Sequence, residues 1–366
     1  MKFPRDSSNS NRVYTPWRAS RSLPIGSLMG LAILFAGGCA TLQEELPPAV
    51  VGERPQPPPP KPPAPPAQPA RRPSRLIAAA PAIPTRDIIA IQALLDRQNL
   101  SCNCADGVLG QQTRQALRTW QGQNGLPATG QLDDATRQKL GPLDNAFTSH
   151  VITDDERAAL AAVPKTWIGK SRVSRLGYET IVEEVAEKYH ASQQTIRDLN
   201  PDVLWPDPPA GTRLVVPNPE PTSDPAQAAR LTISLGQKLL RAFGADGKLI
   251  AQFPCSIAKD KAKRPKGELR VINCAKDPNY YFDPALFIED PETATIHGKL
   301  VIPPGPNNPV GVAWISLSLP GYGMHGTPKP EDIGKTESHG CFRLANWNAA
   351  KLMQMISIGV PVEVGD

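Results

Sequence analysis

The sequence predicts a multidomain chain in which two small helix-containing domains precede a larger, mainly β domain. Three observations lead to this prediction. A proline-rich segment, residues 39–85, separates the N-terminus from the rest. Apolar residues recur at helical spacing in short segments after it, and strand-like runs divided by glycine turns dominate residues 228–366. A length of 366 residues leaves room for two or three domains.

Residues 1–38 have the pattern of an export signal. Arg18 and Arg21 precede an apolar run over residues 23–35, and three small residues then lead to Cys39. A basic region, a short apolar region and small residues before a break are typical of a secretory signal peptide. The run is shorter than a membrane-spanning helix requires, and its proline and glycines disfavour a buried helix.

The end of this segment resembles a bacterial lipoprotein signal. In such signals the cysteine becomes the lipid-carrying N-terminus, so the resemblance implies lipidation of Cys39 and a membrane-anchored protein in the periplasm or cell envelope. The leucine that usually stands three residues before the cysteine is replaced here by Ala36.

The charge distribution argues against nucleic acid as a partner. The net charge is +5, and the residues before Cys39 include five basic side chains and one acidic one. The remainder is therefore nearly neutral, whereas nucleic-acid binding needs a dense basic surface.

Residues 39–85 are predicted to be a tether. Fifteen of the 42 prolines lie between Pro47 and Pro84, and such a segment favours extended polyproline II over a packed core. About 45 residues at about 3.1 Å each span up to roughly 140 Å. That reach suits a protein that works at a distance from its membrane anchor.

Residues 86–141 are predicted to form a small three-helix bundle. Apolar side chains recur at helical spacing within 88–95 and 113–121, and a third short helix follows. The Asp-Gly-Val-Leu-Gly string at 106–110 and the Asn-Gly-Leu-Pro-x-Thr-Gly string at 124–130 resemble the three-helix peptidoglycan-binding domain. A bundle without a ligand is the alternative.

Residues 172–219 are predicted to form a βααβ module after a loose connector over 142–170. One helix opens at Gly177–Ile181, a second short helix follows it, and Leu214–Pro217 alternates as a strand that proline ends. The order resembles a LysM domain, which typically binds N-acetylglucosamine chains. The usual opening Gly-Asp-Thr-Leu is here Gly-Tyr-Glu-Thr-Ile, which leaves glycan binding open.

Residues 228–366 are predicted to be mainly β. Short alternating runs separated by glycine turns indicate antiparallel strands, and one clear helix covers about Trp347 to Ser357. Strands with one late helix predict a β-sandwich or a barrel-like sheet. The Ser-His-Gly-Cys string at 338–341 falls on a loop between strands, where scaffolds commonly present catalytic groups.

Six cysteines are consistent with an oxidising compartment. If Cys39 carries lipid and Cys341 stays free, four remain, and four cysteines allow three pairings. We expect a cross-strand bridge between Cys255 and Cys274. Cys102 and Cys104 are only two residues apart, which strains a direct bridge, and no spacing typical of a metal site occurs.

The chemistry of the last domain is predicted from Ser338-His339-Gly340-Cys341. A cysteine attacks carbonyl carbon as its thiolate and needs a base to reach that state. His325, sixteen residues before Cys341, is the predicted base, and His339 is the rival. The backbone N–H groups of Gly340 and Cys341 are candidate donors to an oxyanion.

His325-Gly326-Thr327 and the string Ser-His-Gly-Cys-Phe-Arg-Leu at 338–344 resemble the signature of the L,D-transpeptidase family of YkuD type. The resemblance covers residues 228–366. It implies that Cys341 attacks the L,D bond after the third residue of a tetrapeptide stem and releases D-alanine. The acyl acceptor would be the amine of another stem, giving a 3–3 cross-link, the lysine of a wall-attached lipoprotein, or water. Neither a cofactor nor a metal is implied.

Four further residues are candidates for substrate binding: Tyr322, Gly326, Thr327 and Arg343. The planar guanidinium of Arg343 suits a substrate carboxylate, or equally a local acid that fixes the loop. The partners that these motifs imply are peptidoglycan stem peptides and glycan strands.

Two rival functions have a basis in the sequence. A cell-wall hydrolase or L,D-carboxypeptidase would use the same nucleophile with water, but hydrolase families of that kind place cysteine before histidine. A non-catalytic wall-binding lipoprotein would have lost Cys341 or His325, and both are present.

Overall fold

The computed structural model describes residues 83–221, 223–287, 289–335 and 340–366. The predicted signal peptide, the tether up to residue 82, and Cys39 lie outside the described residues. Ser338 and His339 lie outside them too.

Three helices occupy the region of the predicted bundle, and their bounds are α1 (Thr85–Arg97), α2 (Gln111–Gln123) and α3 (Asp134–Leu140). Leu95, Leu117 and Trp120 are buried between them. The carboxylate of Asp133 accepts from the backbone N–H of Thr136 at 2.8 Å, which caps the start of α3.

The next region contains a two-stranded sheet and four helices: β1 (Phe147–Val151), α4 (Asp154–Ala158), α5 (Trp167–Ser171), α6 (Ile181–Lys188), α7 (Gln193–Leu199) and β2 (Arg213–Pro217). β1 pairs antiparallel with β2, so that Phe147 lies opposite Pro217. The order β1-α6-α7-β2 is βααβ, with α4 and α5 inserted after β1.

The expectation of a loose connector over 142–170 is wrong, because that stretch contains β1, α4 and α5. The first strand of the βααβ module therefore begins upstream of residue 172. Its central residues, Thr148, Ser149 and His150, lack an apolar alternation. The strand forms because β2, far along the chain, offers a partner edge. The LysM-like identity of the module stays a prediction.

The last region is mainly β, as predicted, and its elements are β3 (Arg230–Ser234), β4 (Leu239–Phe243), β5 (Leu249–Pro254), β6 (Gly267–Lys276), β7 (Tyr280–Phe282), β8 (Leu300–Ile302), β9 (Ala313–Leu317), β10 (Gly323–His325), β11 (Phe342–Arg343), α8 (Asn346–Met355) and β12 (Pro361–Gly365). Eight strands form one sheet in the order β11-β10-β9-β6-β12-β3-β4-β5, while β7 and β8 form a separate hairpin. Leu352 and Met355 of α8 belong to the core of this sheet.

The two ends of the eight-stranded sheet meet. Ser256, two residues beyond β5, and Arg343 of β11 exchange two backbone hydrogen bonds of 2.9 and 3.0 Å. This bridge favours the barrel-like alternative over a two-sheet sandwich, because a sandwich would leave these ends apart.

The outer edge of β5 is covered by the first helical domain. Ser101 donates its N–H to the carbonyl of Gln252 at 3.0 Å, and Gln252 donates to the carbonyl of Asn99 at 2.8 Å. The hydroxyl of Thr119 also donates to the side-chain oxygen of Gln252 at 2.7 Å. The described residues of the helical, βααβ and β regions accordingly belong to one compact unit.

The expected bridge between Cys255 and Cys274 is not observed. Both are free thiols, and β5 and β6 are separated by three strands of the sheet. Cys102 and Cys104 are free and buried. In the described part of the chain, no helix has the length and apolar character that crossing a membrane requires.

Candidate active site

The parallel pairing of β10 with β11 brings the predicted nucleophile beside the predicted base. In this register His325 lies opposite Arg343, and Met324 lies opposite Phe342. Cys341 directly precedes Phe342 and is therefore next to Gly323. Since side chains alternate along a strand, Cys341, His325 and Arg343 project to the same face.

His325 is held in a neutral form with one ring nitrogen fixed. Its side chain is buried, its ring stacks on Trp314 with 5.4 Å between centroids, and its Nδ1 lies 2.6 Å from the carbonyl oxygen of Gly326. Nδ1 must carry the proton that this carbonyl accepts, so Nε2 keeps its lone pair. Burial lowers the pKa of His325 to about 4, and the charge of Arg343 acts in the same direction.

Cys341 is partly buried and favours the thiol in the resting site. Burial raises the pKa of Cys341 above its usual value, while a hydrogen bond from the N–H of Gly323 and the charge of Arg343 oppose that change. Its Sγ lies 3.7 Å from the carbonyl oxygen of Gly321. A neutral thiol beside a neutral imidazole needs general-base catalysis at the moment of attack, because no standing thiolate is favoured.

An open cleft with about 1420 Å³ of empty space contains both groups. It is lined by the predicted residues Tyr322, His325, Gly340, Cys341 and Arg343. Lys263, Tyr280 and Trp314 also line it, and none of these three carries a signal that sequence reasoning could have used.

The surroundings of Arg343 are compatible with both roles predicted for it, and both stay predictions. Arg343 lines the cleft, and burial lowers its pKa while the nearby carboxylate of Asp332 opposes that change. The guanidinium therefore lies at the surface of the cleft and near the carboxylate of Asp332.

The hydrogen bonds described for Gly326 and Thr327 are with other residues of the protein. The carbonyl of Gly326 accepts from His325, as described. Thr327 is buried, and its hydroxyl accepts from the backbone N–H of Lys329 at 3.3 Å, which stabilises the turn after β10.

Asn346 is the site residue that sequence reasoning missed. It is buried at the start of α8, and its Oδ1 lies so close to Gly326 that a Cβ there would overlap it. It follows the recognised motif by two residues, but nothing in its type or spacing indicates this contact.

Groups of three or more His, Cys, Asp or Glu side chains that could hold a metal ion do not occur among residues 83–335 and 340–366, with 222 and 288 set aside.

Comparison with known proteins identifies two parts of the chain. Residues 228–364 match the family model YkuD, described as "L,D-transpeptidase catalytic domain", and residues 85–140 match the model described as "Putative peptidoglycan binding domain". The chain is 27% identical over 184 residues to "Putative L,D-transpeptidase YkuD" of Bacillus licheniformis, which covers 50% of this chain and 92% of that protein. It is 30% identical over 126 residues to "Putative L,D-transpeptidase YqjB" of Bacillus subtilis, covering 33% and 62%.

Among solved structures, an L,D-transpeptidase from Mycobacterium smegmatis aligns with a TM-score of 0.29 and 22% identity, covering 43% of this chain. The chain spans 64% of the length of that structure.

The catalytic-domain model and the relatives that match this chain show that it is an enzyme. More particularly, it combines a YkuD-type L,D-transpeptidase catalytic domain with a peptidoglycan-binding domain ahead of it.

Replacing Gly326 with alanine should weaken both stability and acylation of the protein. The new Cβ would overlap Oδ1 of Asn346, so the turn that fixes His325 must shift. Overpacking of this kind costs about 1–3 kcal/mol. The measurements are urea unfolding and the rate of covalent labelling by a carbapenem, a class of drug that we expect to acylate Cys341 because of the resemblance to L,D-transpeptidases. Gly122→Ala is the matched control, because a Cβ at Gly122 of α2 meets open space.

Proposed function

We propose that this chain uses Cys341 to cut the bond before the terminal D-alanine of a tetrapeptide stem and passes the acyl group to an amine. The observation that carries the proposal is the register of β10 and β11. It places Cys341 and a neutral His325 in the lining of one cleft. The two matched domains support peptidoglycan as the substrate.

The first half-reaction follows from these groups. Nε2 of His325 takes the thiol proton, and the sulfur of Cys341 bonds to the carbonyl carbon. The C–N bond then breaks, and His325 returns the proton to the amine of the departing D-alanine. A thioester on Cys341 remains.

Charge develops on the carbonyl oxygen during this step. The N–H groups of Gly340 and Cys341 are the proposed donors to it, and Ser338 and His339 are proposed to shape the loop that presents them. Arg343 and Tyr322 line the cleft, where they are proposed to contact the stem.

In the second half-reaction an amine attacks the thioester carbon and His325 accepts the amine proton. The C–S bond then breaks, and His325 returns that proton to the sulfur, so that the thiol re-forms. A stem amine gives a 3–3 cross-link, a lysine of a wall-attached lipoprotein gives lipoprotein attachment, and water gives a tripeptide stem. We propose amine transfer as the principal reaction.

Mass spectrometry of muropeptides tests this proposal. The chain without residues 1–38 is incubated with disaccharide-tetrapeptides, and cross-linked dimers that have lost one D-alanine are expected. Tripeptides without dimers would instead establish an L,D-carboxypeptidase. Unchanged tetrapeptides, with no adduct on Cys341, would leave a non-catalytic wall-binding protein.

We propose further that the protein is exported and held at the membrane by lipid on Cys39, with residues 39–85 as the tether and a LysM-like βααβ module bounded by β1 and β2. Cys39→Ser should move the protein from the membrane fraction to the soluble fraction, because the lipid attachment site is lost. Immunoblots of fractionated cells measure this. Cys274→Ser serves as the control for loss of a thiol, and identical fractionation of Cys39→Ser and wild type would exclude the anchor.

A further inference from the structure

A polar contact joins the βααβ module to the catalytic region directly behind the active site. Nδ2 of Asn346 donates to both carboxylate oxygens of Glu187 on α6, at 3.1 and 3.0 Å. The hydroxyl of Tyr178 donates to the same carboxylate at 3.1 Å. Glu187 thus ties the first residue of α8 to a helix that lies outside the matched catalytic domain.

The other contacts of Asn346 are with the backbone that supports the base. Its Nδ2 also donates to the carbonyl of Pro306 at 3.1 Å, and its Oδ1 accepts from the N–H of Val312 at 3.3 Å. The same Oδ1 lies against Gly326 and Gly311, where a Cβ on either glycine would overlap it. The amide therefore fills the space beneath the turn whose carbonyl accepts from His325.

We infer that Glu187 and Asn346 form a positioning pair, through which the βααβ module holds the Gly326 carbonyl against the ring of His325. This inference rests on the proposed function, because it assigns the pair to the base of that reaction. Neither residue lines the cleft that contains Cys341. Both act through the backbone, by fixing which way the Nε2 lone pair points.

The buried environment of Glu187 disfavours its ionised form. Burial raises the pKa of Glu187 to about 7, and repulsion from Glu183 and Glu331 acts in the same direction. Hydrogen bonds from Asn346 and Tyr178 oppose this shift. An acid whose folded pKa is raised loses stability as pH rises from its unfolded pKa through its folded pKa, so this loss is present at pH 8 for Glu187. An ionised carboxylate at this position therefore calls for an explanation other than stability, and accepting from the Asn346 amide through both carboxylate oxygens is one.

The pair can be tested by exchanging donor and acceptor. Asn346→Asp keeps the size and the Oδ1 acceptor but sets a second carboxylate against Glu187. Glu187→Gln removes the charge, and the double variant lets the new glutamine donate to the new aspartate. The measurement is the rate at which a carbapenem acylates Cys341 at pH 8, read by intact-protein mass.

We expect Asn346→Asp to slow acylation by about tenfold or more, since small misplacement of a catalytic group has effects of this size. Glu187→Gln should slow it less, and the double variant should recover much of the rate lost in Asn346→Asp. Asn307→Ala is the matched control. It removes hydrogen bonds of 2.8 and 2.5 Å to Gly177 and Glu183 across the same contact, away from Gly326, and should leave the rate near that of wild type.

Stability separates positioning from folding. Glu187→Gln should retain or raise the Tm at pH 8 while it slows acylation, which a structural role alone would not produce. Should Asn346→Asp fail to fold, this split in Glu187→Gln decides the matter. The inference is overturned if the double variant is no faster than Asn346→Asp, or if Asn307→Ala loses as much rate. Absence of an adduct in wild type would instead refute the proposed function itself.

Discussion

Cys341→Ala should abolish covalent labelling and turnover without loss of the fold. Wild-type protein is expected to gain the mass of one carbapenem molecule, because the sulfur of Cys341 lies in the cleft beside the neutral imidazole of His325. The variant retains no nucleophile there and should gain no mass. Its Tm should stay close to that of wild type, since Cys341 is only partly buried and alanine fits its place.

Cys274→Ala is the appropriate control for this experiment. Cys274 is also a partly buried free thiol whose pKa is raised by burial, but it lies on β6 and outside the residues that line the cleft. The Cys274→Ala variant should be acylated at the wild-type rate. An adduct that persists in Cys341→Ala would show that another group is the nucleophile.

His325→Ala should slow acylation by roughly 10²–10⁴-fold near neutral pH, which is the usual contribution of a general base. The wild-type rate should be level from about pH 5 to 8 and fall as pH drops through about 4, where the imidazole takes up a proton. Without His325 the rate should instead rise with pH, following ionisation of the Cys341 thiol, whose pKa is raised by burial. The pH profile of carbapenem acylation measures both.

Two further variants make that result decisive. His297→Ala removes an exposed histidine that does not line the cleft, and its profile should match wild type. His339→Ala should lower turnover by disturbing the loop, yet keep the acid limb near pH 4. If His339→Ala alone lost that limb, the roles of the two histidines would be exchanged.

That His325 and Cys341 come together could be predicted from sequence because it depends on short-range patterns. His325, Gly340 and Cys341 lie within seventeen residues, which is close enough for a short loop to bring them together. Strand-like alternation likewise indicated a mainly β domain, since β3, β9 and β12 bury alternate residues.

The parts that sequence reasoning missed depend on partners far along the chain. β1 forms only against β2, and Asn346 acquires its role from Glu187, which is 159 residues away. The sequence predicts Gly326 as a substrate-binding residue, but it does not indicate that the Gly326 carbonyl is the acceptor for the ring of His325. Cys255 and Cys274 each end or follow apolar runs, but the strand order that separates them cannot be read from local pattern.

The backbone pairing of residues 99–101 with Gln252 has a consequence for dissecting this enzyme. A polypeptide that began at residue 228 would expose the N–H and carbonyl of Gln252 along β5, together with Leu249, which packs against the core of the helical domain. An uncapped strand of this kind recruits any extended chain that meets it, so such a fragment would tend to self-associate. The helical domain, which matches a peptidoglycan-binding model, therefore also covers the β5 edge against pairing with other molecules. An experiment that deletes this domain to test wall binding should also lower the solubility of the protein.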